Sequence, residues 1–216
     1  MKKSVKNIIK KTVGPHNIQT FRSWRGYILW NIQGKPVPAH GIYKWKILKQ
    51  TAEKYGIRTF IETGTAGGGT IEKMSPSFDR LYSIELDPVL YELGQKRIGN
   101  NPKVTLLKGD SGVVLKDILS TLSTPALFWL DAHYSGTGTA KAALDTPIVE
   151  ELLTIFAHQI KNHVVVIDDM REFNGTHDYP HLSELKKIVA ERAPEYTFST
   201  DNDLMIIAPK SQAVQI

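Results

Sequence analysis

Thr59-Phe60-Ile61-Glu62-Thr63-Gly64-Thr65-Ala66-Gly67-Gly68-Gly69-Thr70 passes from a short apolar run, through an acid, into a glycine cluster and then into the start of a helical pattern. A strand, a tight loop and a helix in that order make the first half of a parallel crossover unit. Glycines there permit a tight turn and let a ligand approach the backbone closely. The helix that follows offers unpaired N–H groups at its N-terminus. Taken alone, such a loop separates neither one nucleotide ligand from another nor a binding loop from a structural turn.

The same unit recurs downstream. Leu81-Tyr82-Ser83-Ile84, ending at Glu85, predicts a second strand, and Pro88 suits the first turn of a helix over 88–98. Val104 to Leu107 predicts a third strand, closed by Gly109-Asp110, before a helix over 113–122. Ala126 to Leu130, apolar on both faces, predicts a fourth strand closed by Asp131. A glycine-bearing loop, Tyr134 to Gly138, leads to a helix opened by Pro147, with Ile148, Val149, Leu152, Leu153 and Phe156 on one face. Val164 to Ile167 predicts a fifth strand closed by Asp168-Asp169, then a loop from Arg171 to Pro180 and a helix over 182–191. Tyr196 to Phe198 and Leu204 to Ile207 are joined by Asp201-Asn202-Asp203, short enough for a hairpin. Upstream, Tyr43 to Tyr55 reads as a helix stopped by Gly56.

Alternating apolar strands and helices imply a parallel sheet covered on both faces. The expected fold class is α/β: a Rossmann-like, doubly wound, mostly parallel seven-stranded sheet with a C-terminal antiparallel hairpin and a helical N-terminal extension. The breaker-rich joint Gly34-Lys35-Pro36-Val37-Pro38 divides an extension over 1–38 from a domain over 39–210, with a tail over 211–216.

Right-handed crossovers put the C-terminal ends of the parallel strands on one edge of the sheet, where ligands bind. Glu62, Glu85, Asp110, Asp131, Asp168 and Asp169 all fall at those ends, so the alternation gathers six carboxylates along one rim. At the loop, Glu62 would repel a pyrophosphate and suit an amino group. Glu85 stands where an acid binds ribose hydroxyls. Asp110-Ser111 stands where a carboxylate accepts from an adenine amine. Helix capping is the structural alternative for Glu85, Asp87 and Asp110.

On these residues the chain resembles the class I S-adenosylmethionine-dependent methyltransferases. Glu62 to Gly68 is similar to their first motif, with Ala66 where the middle glycine usually stands. Glu85 is similar to their ribose-binding acid and Asp110 to their adenine-contacting acid. The resemblance covers about Thr59 to Pro209. It implies S-adenosylmethionine as cofactor, held by Glu62, Gly64, Thr65, Ala66, Gly68, Thr70, Glu85, Asp110, Ser111 and Asp131.

If the fourth and fifth strands are neighbours, Asp131, Asp168 and Asp169 converge beside that pocket. Such a cluster calls for protons, hydrogen bonds or a cation. Its oxygens suit a hard ion, Mg²⁺, Mn²⁺ or Ca²⁺. The arrangement resembles metal-dependent O-methyltransferases and the small methyltransferases of sugar and antibiotic tailoring. Asp169 replaces the amide usual in the catechol type. His133, two residues beyond Asp131, is the candidate general base, with Asp131 beside it as a second catalytic residue. Loop contact to substrate is the plainer reading of His133, and of His177 and Asp178 farther on. Lys141 and Arg171 are candidates for an anionic group on the acceptor, against a default of surface charge.

The rest of the composition bounds the class. The chain has 216 residues, no cysteine, 41% hydrophobic and 23% charged residues, and a net charge of +5. Disulfides and thiolate metal sites are excluded. Lys2, Lys3, Lys6, Lys10 and Lys11 make a basic arm whose apolar run is too short for a signal peptide core or a membrane span. A cytoplasmic protein is therefore expected. Phe21, Trp24, Tyr27 and Trp30 recur at a spacing of three, interleaved with Arg22 and Arg25. That face is read first as docking on the domain, with peripheral membrane contact or a homo-oligomer interface as alternatives.

The expected function is S-adenosylmethionine-dependent methyl transfer, metal-assisted, to a hydroxyl of a saccharide or other small molecule. The competing readings are an NAD-binding oxidoreductase, against which the terminal hairpin and Glu62 argue, and a non-catalytic S-adenosylmethionine-binding protein. No nucleic-acid module is recognised, so nucleic acid is not expected as a partner.

Overall fold

The computed structural model describes residues 15–131 and 146–210, with side chains from Ser23 onward. Helices α1 (Pro15–Ile32) and α2 (Gly41–Tyr55) precede the alternating part. There follow β1 (Thr59–Thr63), α3 (Gly69–Met74), β2 (Arg80–Glu85), α4 (Pro88–Ile98), β3 (Val104–Lys108) and α5 (Ser111–Ser120). Then come β4 (Ala126–Leu130), α6 (Ile148–Ala157), β5 (Val164–Ile167), α7 (Leu182–Arg192), β6 (Tyr196–Asp201) and β7 (Leu204–Pro209).

The sheet has seven strands in the order β3-β2-β1-β4-β5-β7-β6. Strands β1 to β5 pair in parallel, and β7 runs antiparallel between β5 and β6. Strand order reverses at β1, between its partners β2 and β4, which places the switch point beside the glycine loop.

Successive side chains of a strand point to opposite faces, and the core divides accordingly. Ile61, Phe128, Leu130, Val165 and Ile167 face one layer with Leu115 of α5, Leu152 and Ile155 of α6 and Leu185 of α7. Phe60, Leu127, Trp129, Val164 and Val166 face the other, with Leu48 and Ala52 of α2 and Ile71 and Met74 of α3. Burial on both faces explains why β4 and β5 read as unbroken apolar runs.

Local chemistry sets the helix ends. Gly56 takes the left-handed conformation, and its N–H closes α2 on Ala52 and Glu53. Asp87 caps α4 by accepting from the N–H groups of Val89 and Leu90, and Asp110 caps α5 by accepting from Gly112. The last two strands turn through Asn202, which has a positive φ of 56°.

Candidate active site

The rim carries its acids in strand order: Asp110 after β3, Glu85 ending β2, Glu62 in β1, Asp131 after β4, and Asp168-Asp169 after β5. Glu62 is the penultimate residue of β1 and is buried. Ser83 Oγ lies 2.6 Å from both Glu62 Oε2 and Thr65 Oγ1, so one hydroxyl ties the acid to the loop. Burial pushes the Glu62 carboxyl well above its ordinary range, and the charges of Asp131 and Glu85 add to that, against the bond from Ser83.

The loop is held from both sides. Gly64 and Thr65 donate their N–H groups to the Ile84 carbonyl at 3.0 and 3.2 Å. Ala66, at a positive φ of 47°, donates to Glu85 Oε2 at 2.8 Å. Asp87 donates to Glu85 Oε1 at 2.9 Å. Burial raises the Glu85 carboxyl, and these N–H groups work against the rise. A Cβ on Gly67 would meet nothing within 4 Å, so open space lies over the loop there. Gly68 has φ +74° and sits 3.4 Å, at its Cβ position, from the Gly94 backbone of α4, so a side chain there is both strained and crowded. Behind the loop, Arg97 donates to the Gly67 carbonyl at 3.3 Å and pairs with Glu72 at 2.9 Å. Thr70 Oγ1 accepts from the Trp45 indole of α2 at 3.3 Å, and Ser111 is buried at the start of α5.

The structure brings Asp131, Asp168 and Asp169 together, with carboxylate oxygens within 4.8 Å of one another. Two cations that the sequence reading did not assign to this cluster meet it there. Lys44 of α2 donates to Asp168 and stands 3.7 Å from Asp169. Arg171 pairs with Asp169 at 2.8 Å and with the buried Asp203. Arg171 is itself exposed, and its Nε also pairs with Glu172 at 3.2 Å. Burial opposes charge on Lys44, but Asp168, Asp169 and Asp131 outweigh it and raise the ammonium. Burial, and next the charge of Asp131, push Asp168 up to about 7, against Lys44. Among the described residues, four carboxylates here face two cations. A cavity of about 10 Å³, bounded by Asp131, Asp168, Thr146 and Tyr179, adjoins them. That is room for a single ion or water. The three carboxylates offer hard oxygen donors of the kind a divalent cation takes, and the void beside Asp131 and Asp168 is completed by the apolar Leu130, Ile148, Ile167 and Phe173.

Glu151 of α6 is a further acid that the sequence reading missed. It is fully buried against Thr63 and Ser111, and its oxygens form no bond of ordinary length there. Burial pushes it up to about 7. The Tyr179 hydroxyl, also missed, is raised by burial and by the charges of Asp169 and Asp131. Lys44 and Glu151 both left a trace in the sequence. Lys44 lies one turn from Leu48 on the buried side of α2, and Glu151 interrupts the apolar stripe of Ile148, Leu152 and Ile155. His177 and Asp178 are exposed and have positive φ. His133, Lys141 and the loop over 134–138 lie outside the described residues.

No family model matches the chain, and no curated protein matches its sequence. Solved structures match its fold. The O-methyltransferase TomG of Streptomyces achromogenes, involved in tomaymycin synthesis and solved with S-adenosylmethionine, aligns at 18% identity and TM-score 0.60 over 84% of this chain and 86% of its own. An O-methyltransferase of Bacillus cereus, solved with S-adenosylhomocysteine, aligns at 14% identity and TM-score 0.63 over 96% and 97%. The 23S rRNA methyltransferase ErmE aligns at 15% identity and TM-score 0.50 over 81% and 70%. The chain therefore has the Rossmann-like fold on which these S-adenosylmethionine-dependent methyltransferases are built.

Proposed function

We propose that this protein transfers a methyl group from S-adenosylmethionine to a hydroxyl of a saccharide or other small molecule, assisted by a divalent cation, in the cytoplasm. The observation that carries the reading is the rim itself. Glu62 and Glu85, tied to the glycine loop through Ser83 and Ala66, stand on neighbouring strands beside the convergent Asp131, Asp168 and Asp169.

The residues around the β1 loop suit the cofactor. Glu62 is a buried acid suited to a cationic amine, Glu85 is the acid for the ribose hydroxyls, and Gly67 leaves the space above the loop open. Asp110 spends one oxygen on the α5 cap and keeps the other for an adenine amine, next to Ser111. When bound, S-adenosylmethionine supplies an electrophilic methyl carbon on a sulfonium centre, and the acceptor hydroxyl that takes it gives up a proton. A cation held by Asp131, Asp168 and Asp169 would supply Lewis acidity, lowering the pKa of that hydroxyl. The chain's own contribution is placement. β1 and its loop fix the cofactor on one side of the switch point, and β4 and β5 fix the acid cluster on the other. His133 follows Asp131 in sequence and is the proposed base.

An NAD-dependent oxidoreductase is the second reading. The antiparallel β7 between β5 and β6, and an acid rather than an anion cradle at the loop, oppose it. The deciding assay measures S-adenosylhomocysteine release over a panel of hydroxylated saccharides, with Mg²⁺ and with chelator. Turnover that stops in chelator and returns with Mg²⁺ is expected. Turnover unaffected by chelator would remove the cation from the proposal. Hydride exchange with NAD in place of methyl transfer would overturn the proposal itself.

A further inference from the structure

Basic and acidic residues are segregated along this chain. Of its 27 lysines and arginines, eleven precede the first acid, Glu53, and all 22 acids lie from Glu53 onward. Arg25, Lys35, Lys44, Lys46 and Lys49 have described side chains, and among these Lys44 is the only one that joins an ion pair. Helix α1, which lies within the acid-free segment, has two unlike sides. Tyr27 and Trp30 pack against His40, and Trp30 also against Tyr43. Trp24, Ile28 and Ile32, each four residues apart, form a stripe along the other side and are 52%, 55% and 76% exposed. Leu29 is exposed beside them. Next to Trp24 a cavity of about 430 Å³ opens between α1 and α2, with Lys46, Lys49 and Lys73 on its wall.

We propose that α1 seats the protein on the surface of an anionic membrane. The stripe of Trp24, Ile28 and Ile32 enters the headgroup boundary, and the acid-free segment is drawn to the lipid phosphates. Three observations select this occupant. An apolar stripe of this kind has no counterpart on a nucleic-acid backbone, which would use the lysines alone. A second copy docking stripe to stripe would bring two acid-free basic segments together, and like charges oppose that. No described helix is long and apolar enough to cross a membrane, so the contact is with the surface.

The test uses the full chain and sedimentation with vesicles of phosphatidylcholine, with and without phosphatidylglycerol. Binding is expected only to the vesicles that contain phosphatidylglycerol, weakening as salt is raised. The pair Ile28→Asp and Ile32→Asp, on exposed positions, should weaken it at least about tenfold, with the helical circular dichroism unchanged. No binding to anionic vesicles would overturn the proposal. So would binding indifferent to the two aspartates, because charge alone would then account for it. A dimer in sedimentation velocity that those substitutions dissolve, without vesicle binding, would assign the stripe to a second copy instead.

Discussion

The two halves of the rim handle negative charge in opposite ways. On the β3-β2-β1 side each acid is satisfied by groups near it in sequence or on the adjacent strand. Asp110 takes the Gly112 N–H, Asp87 those of Val89 and Leu90, Glu85 those of Asp87 and Ala66, and Glu62 the Ser83 hydroxyl. On the β4-β5 side three acids crowd one another, and their counter-charges are Lys44, from the distant α2, and Arg171, two residues beyond Asp169, which also holds Asp203 of the turn between β6 and β7. The first half, the recognition surface of the proposed function, has its acids already hydrogen-bonded within the fold. The second is a reservoir of charge that responds to what is placed in it. Glu151, buried where α6 meets Thr63 and Ser111, lies at the seam between them.

The largest expected effect strikes the reservoir. Lys44→Met removes the cation beside buried Asp168, and unpairing a largely buried charge costs about 3 kcal/mol. Thermal unfolding should show that loss, and Mg²⁺ should restore more stability to the variant than to the parent. A neutral, Mg²⁺-indifferent variant would break the contrast between the halves.

Glu151→Gln probes the seam. Unfolded Glu151 ionises near its ordinary 4.5, whereas the folded group keeps its proton to about 7. The folded state therefore binds the extra proton in that window, and the stability it confers at acid pH is lost as pH rises through 7. Glutamine needs no proton, so denaturant titrations should find the variant more stable by roughly 2–3 kcal/mol at about pH 8 and equal near pH 4. Equal stabilities at both pH values would show that burial does not tax this acid.

Glu62→Gln tests the recognition half. A charged hydrogen bond contributes about 1.5–3 kcal/mol, so S-adenosylmethionine should bind at least about tenfold more weakly. Burial raises the Glu62 carboxyl in the parent, so its pairing with a cationic amine is expected to release a proton and to tighten as pH rises. The variant should lose both the proton release, read from calorimetry in two buffers, and the pH slope. Asp110→Ala deletes a helix cap and should cost about 1 kcal/mol in denaturant unfolding. A much larger loss would mean Asp110 carries more than the cap. At the far end of the scale, Arg58→Ala breaks an exposed pair with Asp79 and should change the melting temperature within error, less than about 0.5 kcal/mol.

The contrast also explains what the sequence discloses. The recognition half rests largely on short-range chemistry, a strand followed by an acid, a glycine loop and a capped helix, with Ser83 to Glu62 and Ala66 to Glu85 joining neighbouring strands. The alternation of apolar runs and the handedness of crossovers disclosed a parallel sheet with its acids on one edge, while the order of its strands came from the structure. Lys44 and Asp168 are 124 residues apart, and Arg171 and Asp203 are 32 apart. Nothing local announces such pairs, although a lysine on the buried face of α2 and a glutamate inside the apolar stripe of α6 are breaks in pattern that mark special positions. The aromatic repeat of α1 shows the same limit. Its spacing foretold a helix face, but Tyr27 and Trp30 pack inward while Trp24 stays half exposed, because the three-residue period drifts around the helix.

Calorimetric titration of S-adenosylmethionine into the metal-stripped protein, with NAD as the control ligand, tests the central claim most directly. Saturable binding of S-adenosylmethionine with none of NAD is expected, and a hundredfold excess over the dissociation constant should stabilise the fold by roughly 2.7 kcal/mol. Absence of heat and of thermal stabilisation with S-adenosylmethionine, or binding of NAD in its place, would contradict the assignment of the β1 loop as a methyl-donor site.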